Sequence, residues 1–413
     1  MGKIKKKAGH YREKENKKPK KNDRKVLSFE ELPLEEYEKS TDVEVKITKK
    51  KVIIACIIIF CLFISMFLYF GWDNLSSCAG STGAKSDFTV NVIGSSVDAG
   101  NISTVPGGLY YTSDSDFIYL DYKGSAVYDA QHDFARPILK TSGDKALIYD
   151  LGSMSYAVYS ADGEYATSES EYKLYLADIT ADGSYAFVTE AKGYNSKLSA
   201  YSADNKIKYG YSFAEYYITS MALNADATGA VVCGVSTNNG AQESVIYVLD
   251  FTKEEPVAKH VVKDFIFDCD YISQSSVCAV GNEATYVCNQ SKFSKLNTIS
   301  YEGMLLTAYD INSDIGNVVV SLSRSGDGRN CNIEYISTSG KIEKNIETEY
   351  AVTSIDTYKD RVTLADSTNV YLLKSDGKFI ESYTAVDTCK QVCMRNTNSV
   401  YILGLGSVYS IKF

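Results

Sequence analysis

The stretch ADITADGSYAFVTE, residues 177–190, decides the fold. It is an apolar-alternating run, a tight Asp-Gly turn, and a second run of the same kind, which is the signature of a β-hairpin. The same plan returns upstream as STVPGGLYYT (103–112) and ILKTSGDKALIY (138–149). Downstream it returns as ALNADATGAVVCG (222–234), DYISQSSVCAVG (270–281), YDINSDIGNVVVSLS (309–323), IDTYKDRVTLAD (355–366) and MRNTNSVYILG (394–404). These are eight copies, spaced 36–46 residues turn to turn, a period that reads as a repeat architecture.

A second hairpin follows each copy but the last. Four carry turns rich in Gly, Asp or Asn: FIYLDYKGSAVY (117–128), YAVYSADGEYAT (156–167), KLSAYSADNKIKY (197–209) and NVYLLKSDGKFIES (369–382). NIEYISTSGKIEK (332–344) and the weaker SVIYVLDFTKEEPV (244–257) and ATYVCNQSKFSKL (284–296) complete the seven. The chain stops after SVYSIKF (407–413), one strand short of an eighth, while FTVNVI (88–93) is a spare strand ahead of the first copy. Both ends are accounted for if the spare strand completes the last four-stranded unit and closes a ring, which also removes the sheet edges that invite aggregation. The reading is therefore an all-β propeller of seven to eight four-stranded blades with N-terminal strand closure. Eight blades are preferred, and seven is the alternative if the weak middle units are miscounted by one.

Working toward the N-terminus, residues 73–87 (DNLSSCAGSTGAKSD) read as a flexible Ser/Gly stalk. Before it, residues 52–72 (VIIACIIIFCLFISMFLYFGW) hold no charge and, as a helix rising about 1.5 Å per residue, match the hydrocarbon thickness of a bilayer. We assign 51–72 as a transmembrane signal-anchor helix whose lipid partner is the bilayer itself. Residues 1–51 carry 17 Lys and Arg against 10 Asp and Glu, whereas the chain as a whole has a net charge of −9. The positive flank places the N-terminus in the cytoplasm and the acidic propeller (88–413) outside the membrane. Cys78 in LSSC resembles a lipoprotein acceptor, but Trp72, Asp73 and Asn74 separate it from the apolar run.

Residues 1–50 form a tail expected to be disordered and cytoplasmic, basic in its first half. Within it, 27–45 (LSFEELPLEEYEKSTDVEV) interleaves apolar residues with acids and reads either as a docking peptide for a cytosolic partner or as an acidic spacer. An acidic exterior argues against a nucleic-acid partner, since phosphate backbones demand concentrated Lys and Arg.

The alternation of ADG-type and SDG-type turns resembles the quinoprotein-like and WD40-like β-propellers across about residues 88–413. The whole plan resembles an uncharacterised family of single-pass membrane-anchored envelope propeller proteins of Gram-positive bacteria. The Trp-Asp repeat signature and the Trp-docking motif of quinone-dependent dehydrogenases are both missing, the single Trp being Trp72. The resemblance therefore implies a fold and no cofactor.

No catalytic, cofactor-binding or metal-binding residue is assigned. His132, flanked by Asp129 and Asp133, has the makings of a general base, set against a solvated outer-strand residue. Asp114, Asp116 and Asp182 are candidate calcium ligands, set against ordinary turn chemistry. SRSGDGRN (323–330) reads as a hairpin tip. Tyr110, Tyr111, Tyr216, Tyr217 and Tyr271 are set between sugar stacking and core packing. Cys269, Cys278 and Cys288 fall on three neighbouring strands, as a thiolate cluster or as small apolar filling.

The functional expectation is a non-enzymatic binding or scaffolding module for an envelope protein or a wall glycan. The alternative is a carbohydrate-active hydrolase or lyase with two carboxylates at the propeller axis. A third reading, a sensor signalling to residues 27–45, requires dimerisation, for which 52–72 offers little beyond Ala55 and Ser65.

Overall fold

The computed structural model describes residues 84–413, and over that range the hairpins assemble into eight four-stranded antiparallel sheets. Each sheet is one blade, with strands a, b, c and d running outward from the axis. The a strands are Ile102–Val105, Pro137–Ser142, Leu174–Ile179 and Tyr217–Leu223 in blades 1 to 4, and Ile266–Ser273, Leu305–Asn312, Ser354–Tyr358 and Gln391–Asn396 in blades 5 to 8. All eight first hairpins and all seven second hairpins form where the turn chemistry places them. Eight blades, not seven, is the count.

Blade 8 is completed across the chain ends. Lys85–Asn91 pairs antiparallel with Ser407–Lys412, and Val92 N–H continues the ladder to Gly406 O at 3.0 Å. The closing strand begins three residues earlier than the expected 88–93 and ends two earlier. An outer strand needs backbone pairing more than apolar side chains, so Lys85 and Ser86 join it opposite Lys412 and Ile411.

Side chains alternate across each blade, so both faces are buried against the neighbouring blades. The result is eight apolar clusters, one between each successive pair. Phe117 and Tyr159, stacked 4.3 Å apart, join blades 1 and 2, and Val319, Val352 and Leu364 join 6 and 7. The cluster between blades 8 and 1 takes in Phe88, Val90 and Val92 of the closing strand, so strand closure and core closure are one event. Two faces result. One carries the a–b and c–d turns, the other the d–a and b–c loops.

The apolar stretch 52–72, the 27–45 segment, most of the stalk and Cys78 lie outside the described residues. Among the described residues no helix is long and apolar enough to cross a membrane.

Candidate functional site

The a strands bring to the axis what no single hairpin discloses. Asp178, Asp270, Asp310 and Asp356 sit at one register, opposite Ala186, Cys278, Val319 and Thr363 of their b strands, and Lys140 stands at the same position opposite Leu147. A central channel is thus lined by four carboxyls and one ammonium, each half-buried.

Part of this set stitches blades together. Asp178 accepts the Leu223 N–H of the next blade at 2.7 Å, Asp310 accepts the Thr357 N–H at 3.0 Å, and Asp356 accepts the Met394 N–H. Thr357 N–H also reaches Asp356 at 2.8 Å, so Asp310 and Asp356 share one donor. Asp268, two residues before Asp270, receives Ser220 Oγ and Tyr309 Oη, both at 2.9 Å, and so ties blade 5 to blades 4 and 6.

Burial inside the ring disfavours the ionised carboxyl, and neighbouring acids add to it. Asp270 is pushed up to about 8, by burial first and by Asp178 second. Asp178 is raised by burial against the opposing pull of Lys140. Asp310 and Asp356 are both raised, again chiefly by burial, and the Asp310 charge raises Asp356 further. Lys140 shows the converse. Burial pulls its pKa down, but Asp178, Asp268 and Asp270 overcome it and hold the ammonium charged.

The channel opens at both ends. On the a–b face it widens into a cavity of about 620 Å³ walled by blades 2 to 6, with Thr141, Asp178, Thr180, Asp270 and Gln274 among its lining. On the d–a face a mouth of about 470 Å³ lies between Phe267, Tyr309, Ser354 and Gln391.

Exposed large apolar side chains are more numerous on one face than on the other. Met154, Tyr172, Tyr194, Tyr217, Leu305 and Val386, with Ile93, Phe265 and Leu405 between them, are exposed on the d–a and b–c side. On the a–b and c–d side Tyr122 is exposed in a c–d turn, and Ile207, Ile342 and Phe379 are exposed where the d strands leave such turns. Glu171, Glu215, Glu302, Glu349 and Asp387 belong to loops of the apolar face.

The residues singled out from the sequence fall elsewhere. His132 lies just past the d strand of blade 1. It is half-buried and not freely solvated, with Nε2 3.0 Å from Thr112 Oγ1, Nδ1 accepting the Phe134 N–H at 3.3 Å, and burial lowering its pKa. Asp129 is on the adjoining strand, and the ring is a local brace with no open acceptor. Asp114 and Asp182 are turn caps. Asp114 accepts the Ser95 N–H at 2.7 Å and Asp182 the Ser184 N–H at 2.9 Å, while Asp116 accepts Ser115 Oγ at 2.5 Å. Among the described residues no cluster of His, Cys, Asp or Glu has metal-holding geometry.

Residues 323–330 form the expected hairpin tip between the b and c strands of blade 6. Tyr110, Tyr111, Tyr216 and Tyr271 are buried and only Tyr217 is exposed, at 65%. Cys269, Cys278 and Cys288 lie on neighbouring strands as expected, but Cys278 is on the opposite face from the other two. Cys269 and Cys288 enter the core between blades 4 and 5 beside Cys233, and Cys278 enters the core between blades 5 and 6. All are free and buried. Strand alternation divides them, since Cys269 pairs with Ala279 and Asp270 takes Cys278.

The axial acids were missed, yet a signal was present. ADIT, YDIN and IDTY each place an Asp two residues before the a–b turn, and DYIS places one three residues before it, so aligning the copies on that turn nearly shows the column.

The fold agrees with known propellers. BamB from Moraxella catarrhalis superposes with a TM-score of 0.52 at 11% identity, over 80% of this chain and 100% of that one. The β-propeller domain of Cps50 (Swd1) from Myceliophteria thermophila superposes at 0.50 and 8% identity, over 80% and 99%. At such identities the likeness is one of fold alone. No curated protein matches the sequence. Residues 89–413 match the model of DUF5711, a family of unknown function, and the chain belongs to that family.

Proposed function

We propose that this protein is a membrane-anchored, extracytoplasmic scaffold whose propeller docks an envelope protein on its d–a face. The observation that carries the docking is the larger number of large apolar side chains exposed on that side, from loops and strand ends of several blades, since exposed apolar surface on a folded domain marks an interaction site. The acids among those loops select a partner with basic residues at its rim. The uncharged stretch 52–72 and its lysine flank supply the anchor and its orientation.

The test is photo-crosslinking in cells from Tyr217 and Leu305, with Gln274 on the opposite face as the control position. One envelope protein should be captured from the first two sites and lost in Tyr217→Asp and Leu305→Asp. Equal capture from both faces refutes the docking face. Protease protection in spheroplasts tests the address separately: the propeller should be cleaved from outside.

The channel supports a second reading, a carbohydrate-active hydrolase. Asp270 of blade 5 is pushed up to about 8, as suits a general acid, and the Asp178 and Asp310 carboxyls stand at the same register on blades 3 and 6. Release of new reducing ends from wall polysaccharide, abolished by Asp270→Asn and by Asp178→Asn, would establish it.

A further inference from the structure

We propose that the channel mouth on the a–b face binds a short neutral carbohydrate, held between the Lys140 ammonium and the carboxyls of Asp178 and Asp270. This site lies on the other side of the ring from the docking face and does not depend on it.

Three observations converge. The cavity of about 620 Å³ falls in the size range of small-ligand sites and takes its walls from five successive blades. Lys140 is half-buried at the axis, and among the described residues it has no hydrogen-bond or ion-pair partner, although Asp178, Asp268 and Asp270 all act on it. Asp268 and Asp270 belong to blade 5, three blades from Lys140, so the ammonium acts across the lumen. With no acceptor among the described residues, its three N–H donors are left to whatever occupies the channel. Asp270 completes the set. One of its oxygens accepts the Tyr271 N–H at 2.6 Å, and the other has no partner among the described residues.

The charge pattern selects the class of ligand. An anion drawn to Lys140 meets three carboxyls, and a bare cation drawn to the carboxyls meets Lys140. A hydroxyl satisfies both, because it accepts from the ammonium and donates to a carboxyl oxygen. Thr141, Thr180, Ser273 and Gln274, among the residues that line the cavity beside Asp178 and Asp270, are of the same mixed donor–acceptor kind. A molecule with many neutral hydroxyls fits this wall, and two or three sugar rings fit its size.

The test is calorimetric titration of the full-length chain with maltotriose, cellotriose and chitotriose, and with glutamate, lysine and inorganic phosphate as charged competitors. At least one trisaccharide should bind with a dissociation constant of about 1 mM or tighter. Lys140→Met should weaken it at least tenfold. Gln274→Leu, at an exposed turn where folding is not at stake, should weaken it severalfold, and Tyr217→Asp should leave it unchanged. The proposal is overturned if no trisaccharide binds at about 10 mM. It is also overturned if one binds equally well to both channel variants, or if only the charged competitors bind.

Discussion

Replacing Asp270 by Asn should make the propeller more heat-stable at pH 8.5 and leave it nearly unchanged at pH 5. The carboxyl is raised from 3.8 to about 8, with burial the main cause and the charges of Asp178 and Asp268 adding to it against Lys140. The folded protein therefore keeps a proton that the unfolded chain has released. For such a group the contribution to stability is full below the unfolded value, near 4, and drains away as pH rises toward 8. At about 1.4 kcal/mol per pH unit the ceiling is ~6 kcal/mol. Because the channel admits water, the carboxylate is screened, and about 1–3 kcal/mol is the reasonable share. Asp178, raised by burial as well, adds a slope of the same sign in both proteins and cancels in the comparison. Thermal unfolding followed by circular dichroism at pH 5 and pH 8.5 reads the effect, with a gain of ~2–5 °C for the variant at the higher pH. If Asp270→Asn lowers the melting temperature equally at both pH values, Asp270 is an ionised structural carboxylate. The electrostatic account of the axis then fails.

Gly108→Ala should cost about 3 kcal/mol or more, read as a depressed melting temperature or insoluble expression, because an added Cβ would stand 1.9 Å from Leu120 O of the adjoining strand. Phe88→Ala should lower the melting temperature by a few degrees and hasten proteolysis at the N-terminal side of blade 8. This half-buried ring packs 6.1 Å from Tyr401 where the ring closes, and about 1–2 kcal/mol is at stake. Cys233, Cys269, Cys278 and Cys288 should resist iodoacetamide in the native protein and react in urea, as peptide mass spectrometry will read. All four are buried, and burial pushes the Cys288 thiol up to about 12. Tyr335→Phe should be neutral or stabilising by up to ~1 kcal/mol in thermal unfolding, since the Tyr335 hydroxyl is buried without a hydrogen-bond partner.

The ring was legible because its information is local. A turn such as TADG and the alternation on either side fix a hairpin within a dozen residues, and counting hairpins then forces closure. The limits of the closing strand were not, because Lys85 and Ser86 are held by backbone pairing that leaves no mark in side-chain pattern. The side on which a cysteine lies was not either, since it turns on a register that one residue reverses. The apolar face and the axis required the assembled ring, for they gather one or two residues from each of several blades. The column of acids is instructive here. Blade 4 has Ala222 in place of Asp, opposite Val231, and joins blade 5 through Ser220 Oγ, which accepts the Cys269 N–H at 3.0 Å. A carboxyl at this register is therefore not required to hold two blades together. Asp178, Asp310 and Asp356 each bond to the blade that follows, whereas Asp270 bonds only to the N–H of its own neighbour, Tyr271. A carboxyl that burial disfavours, that joins no blades and that sits across the lumen from an unpartnered ammonium has no structural task in the ring. That is the strongest physical reason to look for function inside the channel.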